Sequence, residues 1–403
     1  MNLLSGNDLT NEVTNEDVTG SSYEFNSWDE LEIDPDILRG IYAFGFEYPS
    51  PIQKKAVRAI IEKRDVIAQA QSGTGKTAAF AIGALSQIDL NDNSTQVLIL
   101  SPTRELATQT ANVVSSIGSM MKGLRVQTAF GGLANEDSNG FSTKNLPHVM
   151  CGCPGRVQEM LFKNKFTAKK IKIAILDEAD EMLSAGFKEQ VYNIFQYFNS
   201  NIQIVLVSAS LPDYVQPIIH KIMRNPVKIL VKAEMLTLEG ISQFYIAVDD
   251  DRQKYATLKN LFSYLSVSQC IIYCNSVKRV ADLYEAMKDD DFPVCCIHSN
   301  MDKSSRDNAF NDFRMGKSRV LISSNVTARG IDIQQVSVVI NFDIPKCVNT
   351  YLHRIGRSGR WGRKGVGINF ITRRDISKLK EIEAHYSCQI KEMPLSLDFL
   401  QQA

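Results

Sequence analysis

Short apolar runs rich in β-branched residues constrain this chain more than any other feature. In the first half they are DVIAQA (65–70), QVLILS (96–101), IKIAILD (171–177) and IQIVLVS (202–208), with amphipathic stretches between them. Continuous runs of this length suit parallel strands covered by helices on both faces. The alternation pauses at VKAEMLTLEG (231–240). It restarts with QCIIYC (269–274), FPVCCIHS (292–299), RVLISS (319–324), VSVVINF (336–342) and GVGINFI (365–371). The pattern predicts two doubly wound, parallel-sheet α/β domains over 25–231 and 242–403, joined by a short linker at 232–241. A length of 403 residues agrees, since single domains usually run to about 100–200. Residues 1–24 are polar and acidic without periodicity and read as a disordered tail, with neither a secretory signal nor a transit peptide.

Lys plus Arg and Asp plus Glu balance at 45 each, which argues against a globally basic nucleic-acid binder. A polyanion site must be local, and twelve Lys/Arg against five Asp/Glu between Met301 and Phe370 mark one candidate region. No apolar run reaches the roughly 18 residues of a membrane-spanning helix. The eight cysteines include no C-x-x-C pair, so they read as free buried thiols in a reducing compartment. A redox pair at Cys151 and Cys153 is the disfavoured alternative.

In open parallel sheets ligands bind beyond the carboxyl ends of strands, and the chemical motifs follow the apolar runs. DVIAQA leads into AQSGTGKT (70–77) and then a helix-like stretch, the context a phosphate-binding loop requires. Ser72, Gly73, Thr74 and Gly75 would form the cradle, Lys76 would reach the β- and γ-phosphates, and Thr77 would join a Mg²⁺ shell. The usual first glycine of this motif is Ala70. IKIAILD ends in Asp177 and Glu178. Asp177 would hold Mg²⁺ through water, and Glu178 would act as general base toward the attacking water. The bland alternative for this acidic stretch is a solvated helix start carrying favourable negative charge.

With these residues in view, the chain from about Trp28 to its C-terminus resembles the DEAD-box RNA helicases, motif by motif and in the family's order. GFEYPSPIQ (45–53) matches the adenine-recognition motif, which implies ATP contacts for Tyr48 and Gln53. Trp28, which stands where the family usually has phenylalanine, is implied as a further ATP contact. PTREL (102–106), the Gly131–Gly132 pair and CPGR (153–156) match RNA-contacting loops, implying RNA contacts for Arg104, Gly132, Cys153 and Arg156. DEAD (177–180) is verbatim, and Ser208-Ala209-Ser210 matches the motif coupling hydrolysis to RNA, giving Ser208 and Ser210 that role. In the second half, YCNS (273–276), Arg306 and SSNVTARGID (323–332) imply RNA contacts for Asn275, Arg306, Ser324 and Arg329 and a ribose contact for Asp332. HRIGRSGR (353–360) matches the arginine-finger motif, implying coupling by His353 and γ-phosphate contacts by Arg357 and Arg360.

The resemblance implies two RecA-like domains that use ATP and Mg²⁺ and close on single-stranded or short duplex RNA without reading sequence. DEADEMLSAGFKEQ and ILVKAEMLTLEG point to the translation-initiation branch. That branch implies a cytoplasmic monomer served by a scaffold protein of the initiation factor 4G kind, which bridges both domains. The alternative is an ATP-locked RNA clamp of the exon-junction type, nuclear in setting, since Ser358 within HRIGRSGR is that relative's usual spelling. A non-RNA α/β ATPase such as a transporter motor fails on the second-domain motifs. Several positions depart from the family pattern. Cys153, Ser210, Ser276 and Ser324 stand for threonines, Asn325 for an aspartate and Lys303 for a glutamine. Because these changes spare the Lys76, Asp177, Glu178, Arg357 and Arg360 set, an active ATPase with altered RNA coupling is expected.

Overall fold

The computed structural model describes residues 23–70, 74–130, 146–184, 186–230, 241–264, 269–325, 336–358 and 365–394. The first group of apolar runs forms β1 (Val66–Gln69), β2 (Val97–Leu100), β3 (Val126–Ala129), β4 (Val149–Gly152), β5 (Ile173–Asp177), β6 (Gln203–Ser208) and β7 (Val227–Leu230). Around them pack α1 (Pro35–Ala43), α2 (Pro51–Ile61), α3 (Lys76–Leu85), α4 (Arg104–Ile117), α5 (Pro154–Phe162), α6 (Ala179–Met182), α7 (Lys188–Phe195) and α8 (Gln216–Ile222). The second group forms β8 (Ile241–Ala247), β9 (Cys270–Tyr273), β10 (Val294–Ile297), β11 (Val320–Ser323), β12 (Val338–Asn341), β13 (Gly365–Ile371) and β14 (Lys391–Glu392). Its helices are α9 (Gln253–Tyr264), α10 (Val277–Asp289), α11 (Lys303–Arg314), α12 (Val348–Ile355) and α13 (Ile376–Tyr386).

Both sheets are parallel and seven-stranded, in the orders β3-β4-β2-β5-β6-β1-β7 and β10-β11-β9-β12-β13-β8-β14. Renumbered from its own first strand, the second order is identical to the first. The chain therefore contains the same topology twice, although no repeat is visible in its residues.

Period-2 alternation explains why the runs are apolar throughout. In β2, Val97 and Ile99 enter one core cluster while Leu98 and Leu100 enter the cluster on the opposite face. β5 divides in the same way, Ile173 and Ile175 against Ala174 and Leu176. In the second sheet Ile271 and Tyr273 face one cluster, and Cys270 and Ile272 the other. Each fully buried aliphatic side chain of this kind contributes about 1.5–3 kcal/mol. All eight cysteines are free, and burial pushes the Cys151 and Cys270 thiols up, so neither is a reactive thiolate.

Register places the motifs. Gln69 at the end of β1 pairs with Ser208 at the end of β6, and Asp177 at the end of β5 pairs with Val207. The loop after β1, the acidic turn after β5 and the Ser208 turn thus share one edge of the first sheet. In the second sheet Tyr273 pairs with both Ser323 and Asn341, so the loops after β9, β11 and β12 share an edge too.

Helix α1 approaches α4 at a point only glycine allows. A Cβ on Gly40 would lie 1.8 Å from the Ile117 carbonyl oxygen, a backbone atom that cannot swing aside. Gly40→Ala is expected to cost about 1–3 kcal/mol by forcing the two helices apart. The check is a lower midpoint of urea unfolding, with ATP turnover per folded molecule unchanged.

Candidate nucleotide and nucleic-acid site

The phosphate-loop helix begins where the sequence analysis places it. Gly75 caps α3 in the left-handed region (φ 92°), and Lys76 is the first helical residue. Two side chains of the α2 N-terminus hold this turn. Ser50 Oγ donates to the Thr74 carbonyl at 2.8 Å, and Gln53 Nε2 donates to the Gly75 carbonyl at 3.3 Å. A reciprocal capping box orients them, since Ser50 N donates to Gln53 Oε1 at 2.7 Å and Gln53 N to Ser50 Oγ at 3.4 Å. The fit is close, because a Cβ on Gly75 would meet Gln53 Nε2 at 2.6 Å. Lys76 is 7% exposed, and its buried Nζ has no hydrogen-bond partner among the described residues. A buried ammonium without a partner is costly, and a phosphate anion is the ligand that would relieve it. Thr77 lies half-buried beside it.

The acidic turn after β5 is not a solvated helix start. Asp177, Glu178 and Asp180 are 3%, 3% and 1% exposed. Glu178 sits in the left-handed region (φ 52°), a strained setting for a non-glycine residue, and its amide donates to Asp177 Oδ1 at 3.0 Å. Burial, then the Glu178 carboxylate, holds the Asp177 carboxyl above its ordinary range, against the opposing pull of Lys76. Buried carboxylates packed this closely suit a divalent cation.

Asp180 collects contacts from three elements. Ser208 Oγ donates to its Oδ1 and Ser210 Oγ to its Oδ2, each at 2.9 Å. His353 Nε2, on α12 of the second domain, lies 3.4 Å from Oδ2, and the Tyr214 hydroxyl donates to the Asp180 carbonyl at 3.1 Å. Ligand atoms of Glu178, Asp180 and His353 lie within 4.8 Å of one another. No sequence spacing marks this cluster, because His353 lies 173 residues from Asp180 and only the meeting of the domains joins them. Arg357 is 3% exposed, and its Nε donates to the His353 carbonyl at 3.2 Å.

A second interdomain contact joins Arg306 of α11 to Glu105 of α4 at 2.8 Å. The guanidinium for which the resemblance implies an RNA contact is here engaged by a carboxylate of the first domain. Arg306 is 7% exposed and donates further to the His298 and Ser299 carbonyls, both at 3.2 Å. The expected neighbours Arg104 and Cys153 do surround this pair. Glu105, Arg104 and Arg306 all act electrostatically on Cys153, whose thiol burial pushes up to about 12. Cys153 caps α5 without a side-chain bond, and Arg156 pairs with Glu159 at 2.8 Å.

The other expected residues differ in setting. Trp28 is fully buried and packs on Phe25 with ring centroids 5.6 Å apart. Tyr48 is 79% exposed. Asn275 is held internally: its Nδ2 donates to the Ile344 carbonyl at 2.7 Å and its Oδ1 accepts from Arg354 at 2.8 Å. Ser324 is buried at the end of β11. Ser72, Gly73, Gly132, Arg329, Asp332 and Arg360 lie outside the described residues, as do most of the 1–24 tail and all but Ile241 of the 232–241 linker. Ser50, Glu105, Tyr214 and Arg354 were not singled out from sequence. Ser50 alone carried a readable signal, the S-x-x-Q spacing of a capping box.

Residues 50–218 match the DEAD/DEAH box helicase family, and residues 253–362 match the helicase conserved C-terminal domain. The eukaryotic initiation factor 4A of Caenorhabditis elegans is 48% identical over 371 residues, covering 92% of each chain. The ATP-dependent RNA helicase fal1 of Schizosaccharomyces pombe is 49% identical over 388 residues, covering 96% of each. Among solved structures, S. cerevisiae Dbp5 bound to RNA and ADP BeF3 superposes with a TM-score of 0.85 at 35% identity, covering 91% of this chain and 95% of that one. A Dbp5 variant bound to Nup159, Gle1, IP6 and ADP gives 0.60 at 32% identity, covering 92% and 97%. The chain belongs to the DEAD-box family. It is an ATP-dependent RNA helicase of the initiation factor 4A type, two RecA-like domains that use ATP and bind RNA.

The buried Asp177 carboxyl has a measurable consequence. A carboxyl whose folded proton affinity exceeds its unfolded one contributes stability while protonated and loses that stability as pH rises from the ordinary carboxylate range toward the raised value. The ligand-free protein should therefore lose thermal stability between about pH 4 and about pH 7. Asp177→Asn should melt higher than wild type at the upper pH and flatten the profile, as read by differential scanning calorimetry without nucleotide.

Proposed function

We propose that this chain couples ATP binding and hydrolysis to closure of its two domains on RNA, opening short duplexes locally during translation initiation. The observation that carries the reading is the Asp180 carboxylate, held by Ser208 and Ser210 of the first domain and approached by His353 of the second. A group shared in this way makes hydrolysis and domain closure one event. The comparisons support it, since the agreement is 0.85 with Dbp5 bound to RNA and ADP BeF3 but 0.60 with the Nup159- and Gle1-bound form.

In this mechanism the unpartnered Lys76 ammonium binds the terminal phosphates, with Gly75 and the first amides of α3 beneath them. Thr77 and Asp177 would hold Mg²⁺, Asp177 through water, and the ion would neutralise phosphate charge. Glu178 takes the proton of the attacking water. Arg357 and Arg360, carried on the second domain, complete the charge around the γ-phosphate only when the domains meet, an effect of about 10³–10⁵ in rate. Gln53 ties adenine recognition to the loop through its bond to the Gly75 carbonyl.

RNA lies across both domains and is held by phosphate and sugar contacts, without base readout. Arg104, Arg156 and the loops carrying Gly132 and Arg329 supply those contacts. The Glu105–Arg306 pair locks the closed arrangement beside them. A scaffold protein bridging both domains assists the single copy of this chain in the cytoplasm.

Glu178→Gln is expected to lower RNA-stimulated ATP hydrolysis by about 10²–10⁴ while nucleotide binding persists. Steady-state turnover with and without single-stranded RNA checks this, and hydrolysis indifferent to RNA in the wild type would contradict the coupled cycle. Arg306→Glu should remove most RNA stimulation, and adding Glu105→Arg should restore part of it. A direct phosphate contact by Arg306 would give no such rescue in the same assay.

A further inference from the structure

Arg354, one residue after His353 on α12, is fully buried. All five of its N–H donors are used. Nε and one Nη2 hydrogen go to Asn325 Oδ1 at 3.0 and 2.6 Å, and the other Nη2 hydrogen goes to Asn275 Oδ1 at 2.8 Å. Nη1 reaches Asn341 Oδ1 at 3.0 Å and the Asp343 carbonyl at 2.8 Å. Its guanidinium also lies 5.2 Å from the Tyr273 ring centroid.

Every acceptor is a neutral amide or carbonyl. The nearby Asp343 carboxylate is committed elsewhere, to Arg279 at 2.7 and 2.8 Å and to Lys254 at 3.5 Å. Burial accordingly lowers the Arg354 proton affinity, to about 10. A buried cation held only by neutral oxygens is well placed geometrically but weakly bound. A carboxylate acceptor makes a hydrogen bond roughly twice as strong.

The position of this hub gives it a role. Asn275 follows β9, Asn325 follows β11 and Asn341 ends β12, so the guanidinium gathers the loops at the edge of the second sheet onto α12. α12 also carries His353, which meets Asp180 of the first domain, and Arg357 follows one turn beyond. We infer that Arg354 is a positioning residue which transmits the arrangement of the Asn275 and Ser324–Asn325 loops to His353 and Arg357. The neutral side chain at position 325 keeps that transmission weaker than a carboxylate would. The inference rests on the proposed RNA-coupled cycle. It also gives the Asn325 departure a physical site, since its amide acts on a buried guanidinium inside the second domain.

The test compares Asn325→Asp and Asn325→Ala with the wild-type full chain. Asn325 is exposed, so both variants should fold. ATP turnover is measured at saturating ATP across a titration of single-stranded RNA, together with the KM for ATP and the melting temperature. Asn325→Asp should raise the RNA-stimulated-to-basal turnover ratio several-fold and Asn325→Ala should lower it several-fold. Basal turnover and the KM for ATP should hold in both. A purely structural role would move the melting temperature and leave that ratio unchanged. Either that result, or a lower ratio in the aspartate variant, overturns the inference while leaving wild-type coupling intact. Absence of RNA stimulation in the wild type itself would overturn the underlying coupled cycle as well.

Discussion

A single buried carboxylate organises the relation between the two domains. Asp180 is withdrawn from water, so its charge must be answered by fixed donors, and two of these are hydroxyls at the end of β6. The third neighbour, His353, comes from the other domain. An ionised group in this position favours whichever domain arrangement brings its neighbours closest. The nucleotide turn and the acidic turn that carries Asp180 share the same sheet edge. The Glu105–Arg306 pair repeats the arrangement at a second place, a partly buried ion pair made across the domains. The remaining architecture serves mainly to hold these two contacts in register.

How far the fold was legible depended on scale. Apolar runs such as QVLILS and IKIAILD announced strands because both faces of a parallel sheet must be buried, and the structure divides their residues between opposite core clusters. The identical strand order of the two sheets was not legible, since topology is carried by pairing and leaves no residue repeat. The phosphate-loop motif was readable because its chemistry needs glycine and lysine at fixed spacing, and Gly75 and Lys76 sit as that chemistry requires. Contacts over long separations were a different matter. Nothing near Arg306 in sequence marks Glu105, and nothing near Asp180 marks His353, so both pairs had to be seen in space.

Burial is what motif reading could not supply. Arg306, for which the family resemblance implies an RNA contact, is held by a carboxylate and two carbonyls. The acidic run 177–181 carried a solvated helix start as its bland alternative, and its interior first residues rule that alternative out. Trp28 is too deeply packed to present a face to solvent. The altered family positions divide along the same line. Ser210 keeps the hydroxyl that Asp180 needs. Cys153 offers only a weak donor, and Asn325 changes the charge balance of an interior network. The substitutions that matter most here are those whose partners are buried.

The central claim is that the contact between His353 and Asp180 joins nucleotide chemistry to domain arrangement. Small-angle X-ray scattering of the full chain with a non-hydrolysable ATP analogue and single-stranded RNA tests it most directly. The account predicts a smaller radius of gyration when both ligands are present. It also predicts that His353→Ala remains extended while still binding RNA and nucleotide separately. Compaction of His353→Ala equal to that of the wild type would contradict it.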